Sequence, residues 1–135
     1  MITSCLFIIQ VIIFTTVAHT TEPKTMYTTK YDNIDIDSVI NNERLMKNYI
    51  GCLMDENSCT PDGLELKKNL PDALATDCAS CSPAQKRMAD KMYHHMIDNR
   101  PEDWNRLEKK FDPTGHYKNH YLETKYLEST TMKDS

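Results

Sequence analysis

Four cysteines are the residues of this 135-residue chain whose type and spacing point most directly to chemistry: Cys52, Cys59, Cys78 and Cys81, in the order C-x6-C-x18-C-x2-C. In a small secreted chain an even cysteine set is a disulfide framework. Four thiols allow three pairings. Local pairing, Cys52 with Cys59 and Cys78 with Cys81, is favoured because each bridge would close a short loop at a helix boundary. Crossed pairing needs two helix ends to meet, and the spacing leaves it open. Cys78-Ala79-Ser80-Cys81 has the form of a redox C-x-x-C, but such motifs sit beside a βαβ pattern that is absent here. A structural zinc site would want a tighter first pair and often histidine.

The histidines offer less. His94 and His95 are adjacent on a helix, about 100° apart, so they cannot chelate one ion well; they are expected at the solvent-exposed surface. His116 and His120 have the i, i+4 spacing of a two-histidine metal pair, yet no H-E-x-x-H accompanies them. Ser82 is occupied as a helix cap, and no nucleophile–base–acid set can be assembled around it. The chain is therefore expected to have no catalytic residues, no metal and no cofactor, and not to be an enzyme.

The N-terminus sets the compartment. Leu6 to Val17 is apolar except for Gln10, Thr15 and Thr16. That is shorter than the about 20 apolar residues a membrane span needs, and it reads as the core of a secretory signal peptide over residues 1–18, with Ala18 or Thr20 as the small residue for cleavage. A retained signal anchor is the alternative. Cys5 lies in the segment to be removed. All 16 Lys and Arg and all 20 Asp and Glu follow residue 20, so the secreted chain keeps the net charge of −4. No basic stripe exists to displace counterions from nucleic acid or to dock on anionic lipid, so neither is expected as a partner. The expected product is a secreted, extracellular monomer without stable membrane insertion.

Helical periodicity dominates after Tyr31, and no alternating β-branched run is long enough for a strand. Residues 19–30, polar and threonine-rich, form a mobile arm. Asp35 or Asp37 caps a short helix through Ile40. Leu45, Met46, Tyr49, Ile50, Leu53 and Met54 recur at three and four residues, one apolar face of a second helix. Thr60-Pro61-Asp62 opens a third, with Leu64, Leu66, Leu70 and Leu74 as its apolar residues and Pro71 expected to break or kink it. Ser82-Pro83-Ala84-Gln85 is a capping box. The helix it opens carries Met88, Met92 and Met96 in one row and Ala89, Tyr93 and Ile97 in the next. Pro101 starts a fifth, with Trp104, Leu107 and Phe111 at i, i+3 and i+7, and Asp112-Pro113 with Gly115 stops it. Tyr117, Tyr121, Leu122 and Tyr126 mark a short sixth helix. The helical domain spans 31–128, and 129–135 is a polar tail. Short helices are not stable alone in water, so their apolar faces must be buried together, an all-α compact six-helix bundle. In a domain this small, about 2 kcal/mol from each disulfide matters.

The cysteine spacing, with Y-D-N-I-D-I-D at 31–37, R-L-M-K-N-Y-I-G-C at 44–52, C-T-P-D-G-L-E-L-K at 59–67, L-P-D-A-L at 70–74 and F-D-P-T-G at 111–115, resembles the insect chemosensory protein family over roughly Tyr27 to Tyr126. The resemblance implies six helices, disulfides between neighbouring cysteines, secretion, and an internal hydrophobic channel that binds long-chain alcohols, fatty acids, esters and pheromone-like compounds. It implies no catalytic residues. Tyr49 matches a family tyrosine associated with the channel, and Trp104 a recurrent tryptophan of the fifth helix. Asn57 or Ser58 stands where the family has glycine in the first cysteine loop, and asparagine there tolerates a positive φ.

Together these make a candidate ligand-binding set. Met88, Met92 and Met96 form a pliant row suited to ligands of varied shape, or equally to a core. Tyr49 offers a ring and a hydroxyl for a polar head group, or is a core tyrosine bonded to a carbonyl; Trp104 is chiefly core, with one edge for a ligand. Ile40, Leu45, Leu53, Leu64, Leu70, Leu74 and Phe111 complete the set. A twelve-carbon chain leaving water gains on the order of 10 kcal/mol gross, and after ordering costs a dissociation constant near 1 μM, about −8 kcal/mol, is expected. The expected function is a secreted carrier of small hydrophobic molecules. The alternative is a secreted interaction or developmental factor whose cavity is incidental.

Overall fold

In the computed structural model, which describes residues 25–132, four of the six helices begin at a side-chain cap. Asp35 accepts from the backbone N–H of Asp37 and Ser38 and opens α1, Ile36–Ile40. Asn42 does the same for α2, Glu43–Leu53. Thr60, with Pro61 in the first turn, opens α3, Pro61–Ala75. Ser82 and Gln85 complete the expected capping box of α4, Pro83–Asn99. Pro101 opens α5, Pro101–Phe111, with acids in its first turn and Lys109 and Lys110 in its last, so both ends complement the helix dipole. The last helix, α6, is His116–Thr131. Among the described residues the fold is all-α, six helices with no strand.

Amphipathic faces assemble them. Helix α2 packs on α1, α3 and α5, and α4 packs on α1 and α5. The core is Val39, Met46, Ile50, Leu53, Leu70, Leu74, Tyr93, Met96, Trp104, Leu107 and Tyr117. Tyr93 sits edge-on to Tyr117, ring centroids 4.9 Å apart, and 5.9 Å from Trp104. Arg100, at the α4–α5 junction, pairs with Glu43 of α2 at 2.6 Å and with Asp103 at 2.7 Å. The disulfides are Cys52–Cys59 and Cys78–Cys81. The first braces the α2–α3 loop, where the left-handed residue is Asp55, φ 62°, rather than Asn57. The second closes the α3–α4 turn, where Asp77 and Cys78 both have positive φ.

Four expectations need correction. Pro71 does not break α3, which runs on to Ala75. The ring is exposed, and burial of Leu70, Ala73 and Leu74 at no more than 5% exposure holds the last turn despite the missing N–H donor. The sixth helix is not short: it continues through 129–131 of the polar tail, where the Ser129, Thr130 and Thr131 hydroxyls donate back to the carbonyls of Tyr126 and Leu127. The arm is docked from Tyr27 onward: its N–H donates to the Ser80 carbonyl at 2.9 Å, the Gln85 amide donates to the Thr28 carbonyl at 2.7 Å, and Ser82 Oγ donates to Asp32 at 2.7 Å. These partners lie 50 or more residues away, beyond the reach of local pattern. His94 is half-buried, its ring stacked on Tyr121 at 4.0 Å, because α6 covers that side of α4. The signal peptide, residues 1–18, lies outside the described residues.

Candidate functional site

Helical spacing creates a hollow by turning one stripe of each of α1 to α5 toward a common centre. On α2 the stripe is Met46, Tyr49, Ile50 and Leu53; on α3 it is Asp62, Glu65, Leu66, Asn69, Leu70, Ala73 and Leu74. On α4 it is Gln85, Met88, Ala89, Met92, Tyr93 and Met96, and Trp104 and Leu107 close it from α5. Ile36 and Val39 of α1 and Tyr27, Thr28, Tyr31 and Ile34 of the leading segment form the remaining wall. The cavity holds about 200 Å³.

Eight of the candidate residues meet here: Tyr49, Leu53, Leu70, Leu74, Met88, Met92, Met96 and Trp104. Four lie elsewhere. Leu45 precedes the α2 stripe by one position, about 100° around the helix, and is 36% exposed. Leu64 falls between the stripe positions of α3 and is 56% exposed. Ile40 ends α1 outside the wall, and Phe111, at the last turn of α5, packs against the core with Lys110 over its ring. Ile50, Leu66 and Leu107 were legible as apolar periodic positions. Tyr27, Thr28 and Ile34 carried no local signal, because a non-local docking brings them in.

The polar groups of the wall are mostly committed. The Tyr49 hydroxyl donates to Asp62, a carboxylate of the next helix rather than a backbone carbonyl. The Tyr27 hydroxyl donates to Asp72. Burial first, then the neighbouring carboxylate, pushes the ionisation of both phenols well up. Asp62 is pushed up by burial but held below its usual range by hydrogen bonds from Tyr49 and Thr60. Asn69 donates to Glu65 at 2.8 Å, and Trp104 Nε1 to Glu108 at 2.8 Å. No lysine, arginine or histidine lines the cavity. Such a chamber can take up an apolar chain, and it offers no counter-charge to an anion. Among the described residues no cluster of His, Cys, Asp and Glu could hold a metal ion, and no helix is long and apolar enough to cross a membrane.

One residue outside the stripes was also missed. Asp112, 5% exposed, follows α5 and accepts from the N–H groups of His116 and Tyr117, so it starts α6 as well. The Asp-Pro-x-Gly stop signal concealed this second role.

Comparison with known proteins places these features in company. The insect pheromone-binding family A10/OS-D matches residues 27–119. Ejaculatory bulb-specific protein 3 of Drosophila melanogaster is 50% identical over 98 residues, 73% of this chain and 78% of its own length. The putative odorant-binding protein A10 of the same fly is 52% identical over 99 residues, 73% of this chain and 64% of its own length. A solved structure of a chemosensory protein in complex with bromo-dodecanol is 40% identical, with a TM-score of 0.69 over 73% of this chain and 98% of that one.

Proposed function

Starting from the fact that the chain belongs to the insect pheromone-binding family A10/OS-D, the insect chemosensory proteins, we propose that it is a secreted, monomeric carrier that holds a long-chain apolar molecule among its helices. The observation that carries this reading is the wall itself: five helices and the leading segment turn aliphatic, methionine and aromatic side chains into one hollow. The ligands are chains with a small polar end, such as alcohols, esters and other semiochemicals. The relative's bromo-dodecanol supports that class. The eight candidate residues that meet at the hollow are assigned to its lining, with Met88, Met92 and Met96 supplying the adaptable side.

Entry follows from how the bundle is braced. Each disulfide joins cysteines at neighbouring helix ends, and neither ties the α4–α5 pair to α2. Packing and non-covalent polar contacts, the Arg100–Glu43 pair and the Lys110 bond to the Leu53 carbonyl, hold those helices together, so a chain longer than the hollow can part them at a cost in those contacts.

Trp104 is the only tryptophan and lies in the wall, so the test reads it directly. Bromine quenches tryptophan emission on contact. Addition of 12-bromododecan-1-ol is expected to quench Trp104 saturably, with dodecan-1-ol competing the quenching away. Absence of both quenching and competition overturns the carrier assignment.

A further inference from the structure

We propose that the hydroxyl of Tyr93 is the hydrogen-bond anchor for the ligand's polar end, and that this end is a neutral oxygen group, an alcohol or a carbonyl, rather than a carboxylate. The inference rests on the carrier reading above and adds to it the ligand's head-group chemistry and the residue that selects it.

Tyr93 is 7% exposed, and its ring forms part of the cavity wall between Trp104 and Tyr117. Several polar side chains of or beside the wall are already used. Tyr27 donates to Asp72, Tyr49 to Asp62, Tyr117 to Asp90 and Trp104 to Glu108. The Tyr93 hydroxyl makes no hydrogen bond to any described residue. Nor is it sealed in protein: among the described residues the one fully enclosed side-chain atom without a partner is Asp32 Oδ1. The Tyr93 oxygen is therefore not sealed off, and on this assignment it opens onto the hollow that its ring walls. A buried hydroxyl without a partner is costly, and a ligand oxygen at that point supplies one.

The surroundings decide which oxygen. Burial, reinforced by Tyr27 and Asp90, pushes the ionisation of Tyr93 well up, so it stays a neutral donor and acceptor throughout the physiological range. It can donate to a carbonyl or exchange a hydrogen bond with an alcohol. A carboxylate head would instead enter a chamber that has Asp62 and Glu65 in its wall and no cation. An unpaired charge there is strongly disfavoured.

The experiment compares octan-1-ol, octane and octanoate at pH 7 by displacement of a fluorescent apolar probe, in the wild-type protein and in Tyr93→Phe. Phenylalanine keeps the ring and its packing and deletes only the hydroxyl. Octanol affinity is expected to fall about three- to tenfold, the range of one neutral hydrogen bond, with octane unchanged. Octanoate is expected to bind the wild type more weakly than octanol. Equal changes for octanol and octane, no change for octanol, or octanoate binding tighter than octanol overturns the inference while leaving the carrier reading intact. A wild-type protein that binds none of the three removes the carrier reading and this inference with it. Should Tyr93→Phe fail to fold, the wild type labelled with 13Cζ-tyrosine decides: octanol is expected to shift the Tyr93 resonance and octane to leave it in place, and equal shifts refute the assignment.

Discussion

Affinity should rise steeply with ligand length and then break near eight carbons. An apolar cavity of about 150 Å³ holds benzene, with six carbons. In proportion, the hollow of about 200 Å³ here accommodates about eight. Up to that length each methylene leaves water for an apolar wall and gains about 0.8 kcal/mol, roughly fourfold in dissociation constant per carbon. Beyond it, each added methylene must displace packed side chains, and the step is expected to fall below about twofold. Calorimetric titration of straight-chain alcohols from six to fourteen carbons measures the slope. A second protein moves the break. Leu74, 1% exposed, lines the hollow, and Leu74→Ala deletes three carbons from the wall, so the break is expected near about eleven carbons, with stability lower by about 2–3 kcal/mol. That cost is at the low end for such a truncation because one side of Leu74 already faces open space. Fourfold steps continuing unbroken to fourteen carbons in the wild type, or a break that stays put in Leu74→Ala, would refute the argument that this volume governs selection.

Acid sensitivity and the staples give two further expectations. Hydrogen bonds from Lys110 and Lys67 hold Asp55 down to about 2, against about 3.9 in an unfolded chain. Its stabilising contribution is therefore complete above about pH 4 and lost as the pH falls toward 2. Urea titrations should show the wild type more stable than Asp55→Asn at pH 7, with the gap closing by pH 2; asparagine tolerates the left-handed backbone there, and a gap that does not narrow refutes the assignment. Cys52 and Cys59 are seven positions apart, and replacing both by serine is expected to lower stability by about 2.5 kcal/mol on the loop-entropy account, with helical circular dichroism retained. Complete loss of that signal would mean the bridge does more than constrain the unfolded chain.

What the sequence made legible was whatever depends on neighbours a few residues away. The caps at Asp35, Thr60 and Ser82, the proline starts at Pro61, Pro83 and Pro101, and the local cysteine pairs are all short-range chemistry, and all stand in the structure. The methionine row faces the hollow because spacing of four keeps a helix face constant. Leu45 and Leu64 were misplaced because an apolar residue at the edge of a stripe and one inside it look alike until the partner helices are known. Pro71 was misjudged because tertiary burial of the following turn outweighs a local defect. The docking of Tyr27 on Ser80, and of Asp32 on Ser82, joins segments 50 or more residues apart, and no local pattern records it.

That docking gives the smaller of the two disulfide rings a mechanical part to play. The Ser80 carbonyl that holds the Tyr27 N–H lies inside the ring closed by Cys78 and Cys81, so the bridge works as a cleat on which the leading segment is tied. Slackening of that knot would free Tyr27, Thr28, Tyr31 and Ile34, and with them one side of the chamber. Cys78 and Cys81 themselves border that chamber, so the oxidation state of this one pair would then govern how tightly the cargo space is shut.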